Sequence, residues 1–374
     1  MKVGIDTFGC GHGKTGLGSY LDSLTRCLQN TENDCFELFG AEIDRYTYGA
    51  DNGLKFNSVH LPDSRRIKRI WHYAGANLFA AKHKFDVVMY AAGARYLPIM
   101  FGVPGVAIVN DLVSEVYADE VLSSRLLRLL VGLKNASRVI VPSQFIRKDL
   151  IKLGVSENNI TVIHNGIDHS VFYPQEILFP NLVDIKPFAI KQPYFLYASR
   201  MSGPSKKHIE LIKAFELFKQ KTHLEHRLVL AGSIGESAEE VKQAVLESPY
   251  CQDIFITGFY PRESFPLLYA LSEGCLFPSV NEGVGLPVLE AMATGVPVAC
   301  SNSGALPEIA GSNAIYFDSD NIEQMAAAIE QLALDSGLRK KLIEGGIDWT
   351  KRFTWEKTAE KTVQVLKEAA AGGL

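Results

Sequence analysis

Apolar positions along most of the chain take two alternating forms. Short runs at Lys2–Phe8, Phe85–Tyr90, Val106–Val109, Val139–Val141 and Ile160–Ile163 have the length and the branched or aromatic content of buried strands. Ser19–Gln29 instead repeats its apolar residues at Tyr20, Leu21, Leu24, Cys27 and Leu28, the spacing of one helix face. From Tyr173 to Pro193 the periodicity lapses and Pro174, Pro180, Pro187 and Pro193 recur, as expected of a connection between domains. A second series then begins, with strands predicted at Tyr194–Ala198, Arg227–Ala231, Ile254–Thr257, Gly274–Pro278 and Pro297–Cys300 and helices at Ile209–Lys219, Phe265–Leu271 and Pro287–Ala293. Strands alternating with helices predict an α/β chain with two parallel sheets in tandem, their ligands at the C-terminal strand ends. The first domain is expected over 1–178 and the second over 179–353. The amphipathic run 354–370, with Thr354 as its N-cap, is expected to pack back on the first.

Composition narrows the picture only modestly. The chain has 374 residues, too many for one core of ordinary size, and 47% are hydrophobic. Its 38 basic and 42 acidic residues leave no positive excess of the kind a general nucleic-acid binder carries, so no nucleic-acid partner is expected. The cysteines, Cys10, Cys27, Cys35, Cys251, Cys275 and Cys300, include no Cys-x-x-Cys pair, which argues against a zinc site or redox motif and suits a reducing compartment. Met1–Phe8 reads as a strand, not a signal peptide, and no apolar stretch has the length of a membrane span, so a cytoplasmic protein is expected.

After the first strand comes the glycine-rich stretch Gly9–Gly18, which lets backbone approach an anion at a following helix N-terminus. Gly13-Lys14-Thr15 imitates the end of a P-loop, but the first glycine of that motif would fall at Phe8. Gly11-x-Gly13-x-x-Gly16 matches the dinucleotide fingerprint in letters, with Glu37 about 20 residues on. The loop is longer than that tight turn, since the helix is expected to start only after Gly18. A surface loop without a ligand also fits.

The sharper signal is Glu282-Gly283-Val284-Gly285-Leu286-Pro287-Val288-Leu289-Glu290, followed by Gly295 and Pro297. Pro287 suits the first helical position, where its missing N–H costs nothing, and Gly295 with Pro297 ends the helix. The N–H groups from Gly283 to Leu286 can then point at a polar ligand. Glu282 before the helix and Glu290 inside it sit at different depths, able to grip two hydroxyl-bearing parts of one ligand. Each charged hydrogen bond of this kind contributes about 1.5–3 kcal/mol. Favouring the helix N-terminus alone would account for about 0.3–1 kcal/mol each and leave Gly283 and Gly285 unexplained.

These residues resemble the family 4 glycosyltransferases of the GT-B fold, two Rossmann-like domains with parallel sheets facing an interdomain cleft. The likeness runs from Gly16 to Trp355 through Thr15-Gly16-Leu17-Gly18, Val141-Pro142-Ser143, Asn165-Gly166-Ile167-Asp168, Ser199-Arg200 with Lys206, Thr257-Gly258-Phe259 and Gly304-Ala305-Leu306-Pro307-Glu308. The resemblance implies a retaining transfer of a sugar from a nucleotide-sugar donor to an acceptor, with no metal or other cofactor. By resemblance Glu282 and the amides of Gly283, Val284, Gly285 and Leu286 hold the donor sugar and Glu290 binds the ribose. Gly16 and Gly18 join the donor site. Arg200 and Lys206, following the first strand of the second domain, can take up the negative charge that develops on a departing diphosphate, and Phe259 would lie near the base.

A double displacement would need a carboxylate nucleophile beside the sugar. The resemblance implies front-face substitution, in which the departing phosphate takes the acceptor proton. Asp318-Ser319-Asp320 has metal-ligand spacing but reads as a turn and N-cap before Ile322–Leu332. Two departures stand out: Asn110, where many relatives carry histidine, hydrogen-bonds but does not exchange a proton near neutral pH, and Ser19 replaces a frequent arginine. Asn110 keeps open a non-catalytic partner subunit as an alternative.

The spacing of Arg200, Lys206, Lys207 and His208 resembles a branch of the family rich in mannosyltransferases that use GDP-mannose, and that resemblance implies this donor, with a UDP-hexose as the alternative. Ser64–Tyr73 and Arg125–Leu130 mix cations with apolar residues in the acceptor half. They suggest peripheral contact with the cytoplasmic face of a membrane and a glycan or lipid-linked acceptor in cell-surface polysaccharide synthesis, though solvated helix faces would look alike.

Overall fold

The computed structural model describes residues 1–48, 53–117, 123–175, 182–185, 188–261 and 264–373. By internal packing the chain forms two units, Met1–Gly166 together with Phe353–Leu374, and Ile167–Arg352.

In the first unit seven strands lie parallel: β1 (Lys2–Asp6), β2 (Cys35–Gly40), β3 (Lys55–Ser58), β4 (Val87–Tyr90), β5 (Gly105–Ile108), β6 (Arg138–Val141) and β7 (Ile160–Val162), in the order β3-β2-β1-β4-β5-β6-β7. Val3 stands beside Phe36 of β2 on one side and Val87 of β4 on the other. Both faces of the sheet are covered, which is why its strands read as continuous apolar runs. Val87 and Met89 join a core with Leu21 and Leu24 of the helix Gly16–Arg26, whereas Val88 and Tyr90 join a second core with Leu133 and Ile146.

Thr354 caps the helix Trp355–Gly372 by accepting from the Lys357 N–H. That helix belongs to the first unit. Trp355, Ala359, Val365, Leu366 and Ala369 enter the first core, Trp355 meets Tyr20 edge-on at 5.7 Å, and Thr358 Oγ1 donates to the His164 carbonyl at 2.9 Å.

The helix after the glycine-rich stretch starts at Gly16, earlier than the expected start beyond Gly18. The reason is local. Thr15 Oγ1 accepts from the Gly18 N–H at 3.1 Å and so supplies the cap. A Cβ at position 18 would stand 2.4 Å from the Cys10 carbonyl oxygen, so the first turn sits directly on the loop.

The second unit carries β8 (Leu182–Ile185) and β9 (Phe188–Lys191), an antiparallel pair where an irregular connection was expected. Each run is four residues, too short to show a period between prolines. The main sheet follows: β10 (Tyr194–Ala198), β11 (Arg227–Ala231), β12 (Ile254–Gly258), β13 (Gly274–Phe277), β14 (Val298–Ser301) and β15 (Ala314–Phe317), ordered β12-β11-β10-β13-β14-β15. Residues 167–175 pack with this unit, not with the first: Phe172 is buried and meets Tyr269 at 6.2 Å.

Leu366 is fully buried in the first core. Leu366→Ala is expected to destabilise that unit by about 2–5 kcal/mol, read as a shifted urea midpoint by circular dichroism. An unshifted midpoint would mean the helix contributes nothing to that core.

Candidate functional site

Both sheets reverse their winding once. In the second unit the chain lays down β10, β11 and β12 in one direction and then returns to place β13 on the other side of β10. The loops leaving β10 and β13 therefore depart oppositely and leave a crevice at their C-terminal ends.

Beyond β10 the Ser199 N–H makes the last ladder bond, to Ala231, at 2.8 Å. Arg200 follows, exposed between the buried Ala198 and Met201, and its guanidinium has no partner among the described residues. A turn at Pro204–Lys206 brings the next cation in. Its position is fixed by backbone: Tyr197 Oη donates to the Lys206 carbonyl at 2.9 Å, and the Val280 N–H donates to the Ser205 carbonyl at 2.9 Å, tying the loop after β10 to the loop after β13. Lys206 Nζ then lies 2.7 Å from Glu282 Oε2. Lys207 is held elsewhere, by Glu210 at 3.0 Å and Asp320 at 2.6 Å.

Glu282 is held from both sides. Ser279 Oγ reaches its Oε2 at 3.4 Å, and its own carbonyl accepts from the Ala305 N–H at 2.8 Å. Gly304 makes the second contact necessary: with φ at +66° and a hypothetical Cβ 2.9 Å from the Glu282 carbonyl oxygen, no side chain fits there. The helix Leu286–Ala293 begins at Gly285, in the left-handed region with φ +73°, and no side chain caps it. The Val288 N–H turns back on the Gly285 carbonyl at 3.1 Å and Pro287 has no N–H, so Leu286 is the first-turn residue whose N–H can meet a ligand oxygen. Inside it, Glu290 accepts from Tyr269 Oη at 3.2 Å. Burial, with the Glu290 charge adding to it, raises the Tyr269 pKa well above its ordinary value, which keeps this hydroxyl a donor.

The structure thus gathers Arg200, Lys206, Glu282, Gly283, Val284, Gly285, Leu286 and Glu290 on the loops and helix that leave β10 and β13. Phe259 follows β12, two strands away, about 10 Å along the sheet edge at ordinary strand spacing. It is 75% exposed, with no ring contact to the cluster among the described residues. Gly16, Gly18 and Asn110 belong to the first unit, at the ends of β1 and β5. Asn110 is half-buried, and the next residue, Asp111, pairs with Arg95 at 3.3 Å.

Sequence reasoning missed Ser279 and Tyr269 and did not anticipate that His208 is buried. Ser279 stands three residues before Glu282, a spacing too common to notice. Asp318–Asp320 forms the expected turn, but the cap of the next helix is Asn321, which accepts from the Gln324 N–H, while Asp320 pairs with Lys207.

Residues 15–171 match the model described as Glycosyltransferase Family 4, and residues 180–349 match Glycosyl transferases group 1. The chain belongs to the family 4 glycosyltransferases. O-antigen chain mannosyltransferase B from Escherichia coli is 34% identical over 176 residues, covering 47% of this chain and 46% of that protein. An uncharacterized glycosyltransferase from Methanocaldococcus jannaschii is 26% identical over 242 residues, 62% of this chain and 60% of its own. The chain thus spans between about a half and three fifths of the length of these two relatives. Among solved structures, HepE from Anabaena in complex with UDP and glucose superposes with a TM-score of 0.74 at 18% identity, over 98% of this chain and 100% of that one. Sucrose-phosphate synthase from Thermosynechococcus elongatus also gives 0.74, at 19% identity over 100% of both chains. Likeness at that identity shows the GT-B fold.

His208, two residues after Lys206, is 3% exposed, and its Nε2 has no partner among the described residues. Burial, aided by the Lys206 charge, lowers its pKa to about 4 from the ordinary 6.5. Between those values the unfolded chain binds a proton that the folded one does not. Stability from this group is therefore complete above the unfolded value and is lost as pH falls toward 4. From pH 7 to pH 5 the loss is about 2 kcal/mol. In urea titrations at both pH values, His208→Leu is expected to lose about 2 kcal/mol less than the parent over that interval. An identical pH dependence in the two proteins would contradict the assignment.

Proposed function

We propose that this chain is a retaining glycosyltransferase that moves a hexose, mannose from GDP-mannose, onto a glycan or lipid-linked acceptor in cell-surface polysaccharide synthesis. The reading rests on one observation above all: the Lys206–Glu282 pair, 2.7 Å apart, beside the uncapped start of the helix Leu286–Ala293 at the β10/β13 reversal. A nucleotide-sugar offers matching chemistry. Its diphosphate is anionic where Arg200 and the start of the helix at Leu286 stand, and its sugar and ribose hydroxyls suit the Glu282 and Glu290 carboxylates. Lys206 has three N–H donors, so it can keep Glu282 and still reach a phosphate oxygen.

In the proposed reaction the bond between the anomeric carbon and the diphosphate oxygen breaks while the acceptor oxygen bonds to the same face. The leaving phosphate accepts the acceptor hydroxyl proton. Arg200 and Lys206 stabilise the charge that grows on the departing diphosphate as the bond breaks, so they act on rate as well as on nucleotide binding. Glu282 orients the sugar and carries no covalent intermediate, and no metal is assigned. Mannose is supported by the mannosyltransferase names among the relatives, including a serotype-specific mannosyltransferase from Escherichia coli at 27% identity over 172 residues.

For Arg200→Ala and Lys206→Ala, turnover with GDP-mannose should fall about 100- to 1000-fold each. A nucleotide-sugar panel with product analysis checks the donor: turnover with UDP-sugars alone refutes mannose. Unchanged nucleotide affinity in both Arg200→Ala and Glu290→Ala, by calorimetry, would sink the site.

No helix among the described residues is long and apolar enough to cross a membrane. The helices Arg65–His83 and Ser124–Asn135 nevertheless carry exposed Ile67, Ile70, Leu78, Leu127 and Val131 among arginines. We propose that they rest on the cytoplasmic face of a membrane, each basic residue near an anionic surface adding about 1 kcal/mol. The protein should pellet with anionic liposomes at low salt and be released at high salt. Equal pelleting with neutral lipid, or none, removes these helices as a membrane contact.

A further inference from the structure

The first unit has a recess of its own, lined by Arg69, Tyr73, Arg95, Tyr96, Tyr117 and Arg125. Four segments build it. Arg69 and Tyr73 lie one turn apart on the helix Arg65–His83, and Arg95 with Tyr96 follows the C-terminal end of β4. Tyr117 closes the short helix Val113–Val116 beyond β5, and Arg125 is in the first turn of Ser124–Asn135. The recess thus stands off the C-terminal ends of β4 and β5, beside the β1/β4 reversal, the end of a parallel sheet where ligands bind.

Its walls are fixed before any ligand arrives. Tyr96 stacks on His72 with ring centres 5.1 Å apart. That imidazole is clamped in turn, with Nε2 2.8 Å from the buried Asp6 carboxylate and Nδ1 2.6 Å from the Lys68 carbonyl oxygen. Tyr117 Oη donates to the Ala94 carbonyl at 3.1 Å. A fourth guanidinium, Arg128, lies 5.5 Å from the centre of the Tyr73 ring.

Charge is what this arrangement leaves over. Arg95 has Asp111 at 3.3 Å, whereas Arg69 has no acidic partner among the described residues. Guanidiniums gathered on one recess repel unless an anion sits between them. Carboxylate is planar and singly charged, and one guanidinium fork satisfies it, while a phosphate offers more oxygens and more charge to forks arriving from different elements. The recess is small and open to solvent, which suits a single charged group better than a whole oligosaccharide.

We propose that this recess is a binding site for a phosphate or diphosphate ester, the charged group of the acceptor. Calling the ligand an acceptor rests on the transferase reading; binding of the phosphate ester does not.

The test is calorimetric titration of the full chain with butyl diphosphate after the second unit's site has been saturated with nucleoside diphosphate. The parent should show one further site, and Arg69→Ala and Arg95→Ala should weaken it on the order of tenfold or more. Arg69→Lys, which keeps charge but loses the fork, guards against a folding defect and should also bind more weakly than the parent. Butyrate should not bind. Arg200→Ala should leave the new site untouched. No further site in the parent, unchanged affinity in both alanine variants, or butyrate binding as tightly as butyl diphosphate overturns the proposal. Vesicles containing phosphatidic acid that compete with butyl diphosphate would assign the phosphate to a lipid head group, and failure to compete would assign it to a soluble ester. Should nucleoside diphosphate fail to bind while butyl diphosphate still does, the transferase reading falls and the phosphate site stands.

Discussion

A parallel sheet that is wound outward from a central strand in both directions must send two neighbouring loops apart at that strand, and nothing in the sheet can close the gap between them. Arg200, Lys206, Glu282 and Glu290 are placed by that constraint. In the second unit it separates the loops after β10 and β13, and the hydrogen bond from the Val280 N–H to the Ser205 carbonyl spans them close to the sheet. In the first unit it separates the glycine-rich loop after β1 from the turn after β4 that carries Arg95 and Tyr96. The strands themselves are chemically inert, apolar and buried. Their contribution is to fix where polar side chains of the loops stand, at a precision loops alone would not provide.

The Lys206–Glu282 pair illustrates why such a site is kept for function. Both side chains remain about a quarter exposed, so their attraction is screened by water and adds little to stability. The groups around them are costlier. His208 is buried with a nitrogen that has no partner among the described residues, Lys207 adopts φ +56°, and no side chain caps the helix that starts at Leu286. Deviations of this kind concentrated in one place go with ligand binding more often than with folding.

Much of this was legible in the sequence because its cause is local. The Glu282–Glu290 segment announces a helix start through Pro287 and a left-handed turn through Gly285, and strands buried on both faces announce themselves as unbroken apolar runs. What was missed depends on chain segments far apart in sequence. Tyr269 acquires its role only because it folds against Glu290, and His72 because β1 brings Asp6 to it across 66 residues. The start of the helix at Gly16 was misjudged for another reason. Gly16 and Gly18 look like poor helix formers, and the capping hydroxyl of Thr15 together with the close approach at Gly18 outweighs that propensity.

The same distinction bears on Asn110. Read alone, it is a departure that removes a proton-exchanging group. In the fold it immediately precedes Asp111, whose carboxylate is 3.3 Å from Arg95, a wall of the arginine-lined recess. A histidine at position 110 would add a positive charge next to that pair on acidification, and the balance among Arg69, Arg95, Arg125 and Asp111 would then shift with pH. An amide keeps hydrogen-bonding capacity while contributing no charge. The residue that looks like a loss when set beside the donor chemistry of the second unit is thus suited to the electrostatics of the first, where a constant field from fixed arginines is what an anion would be recognised by.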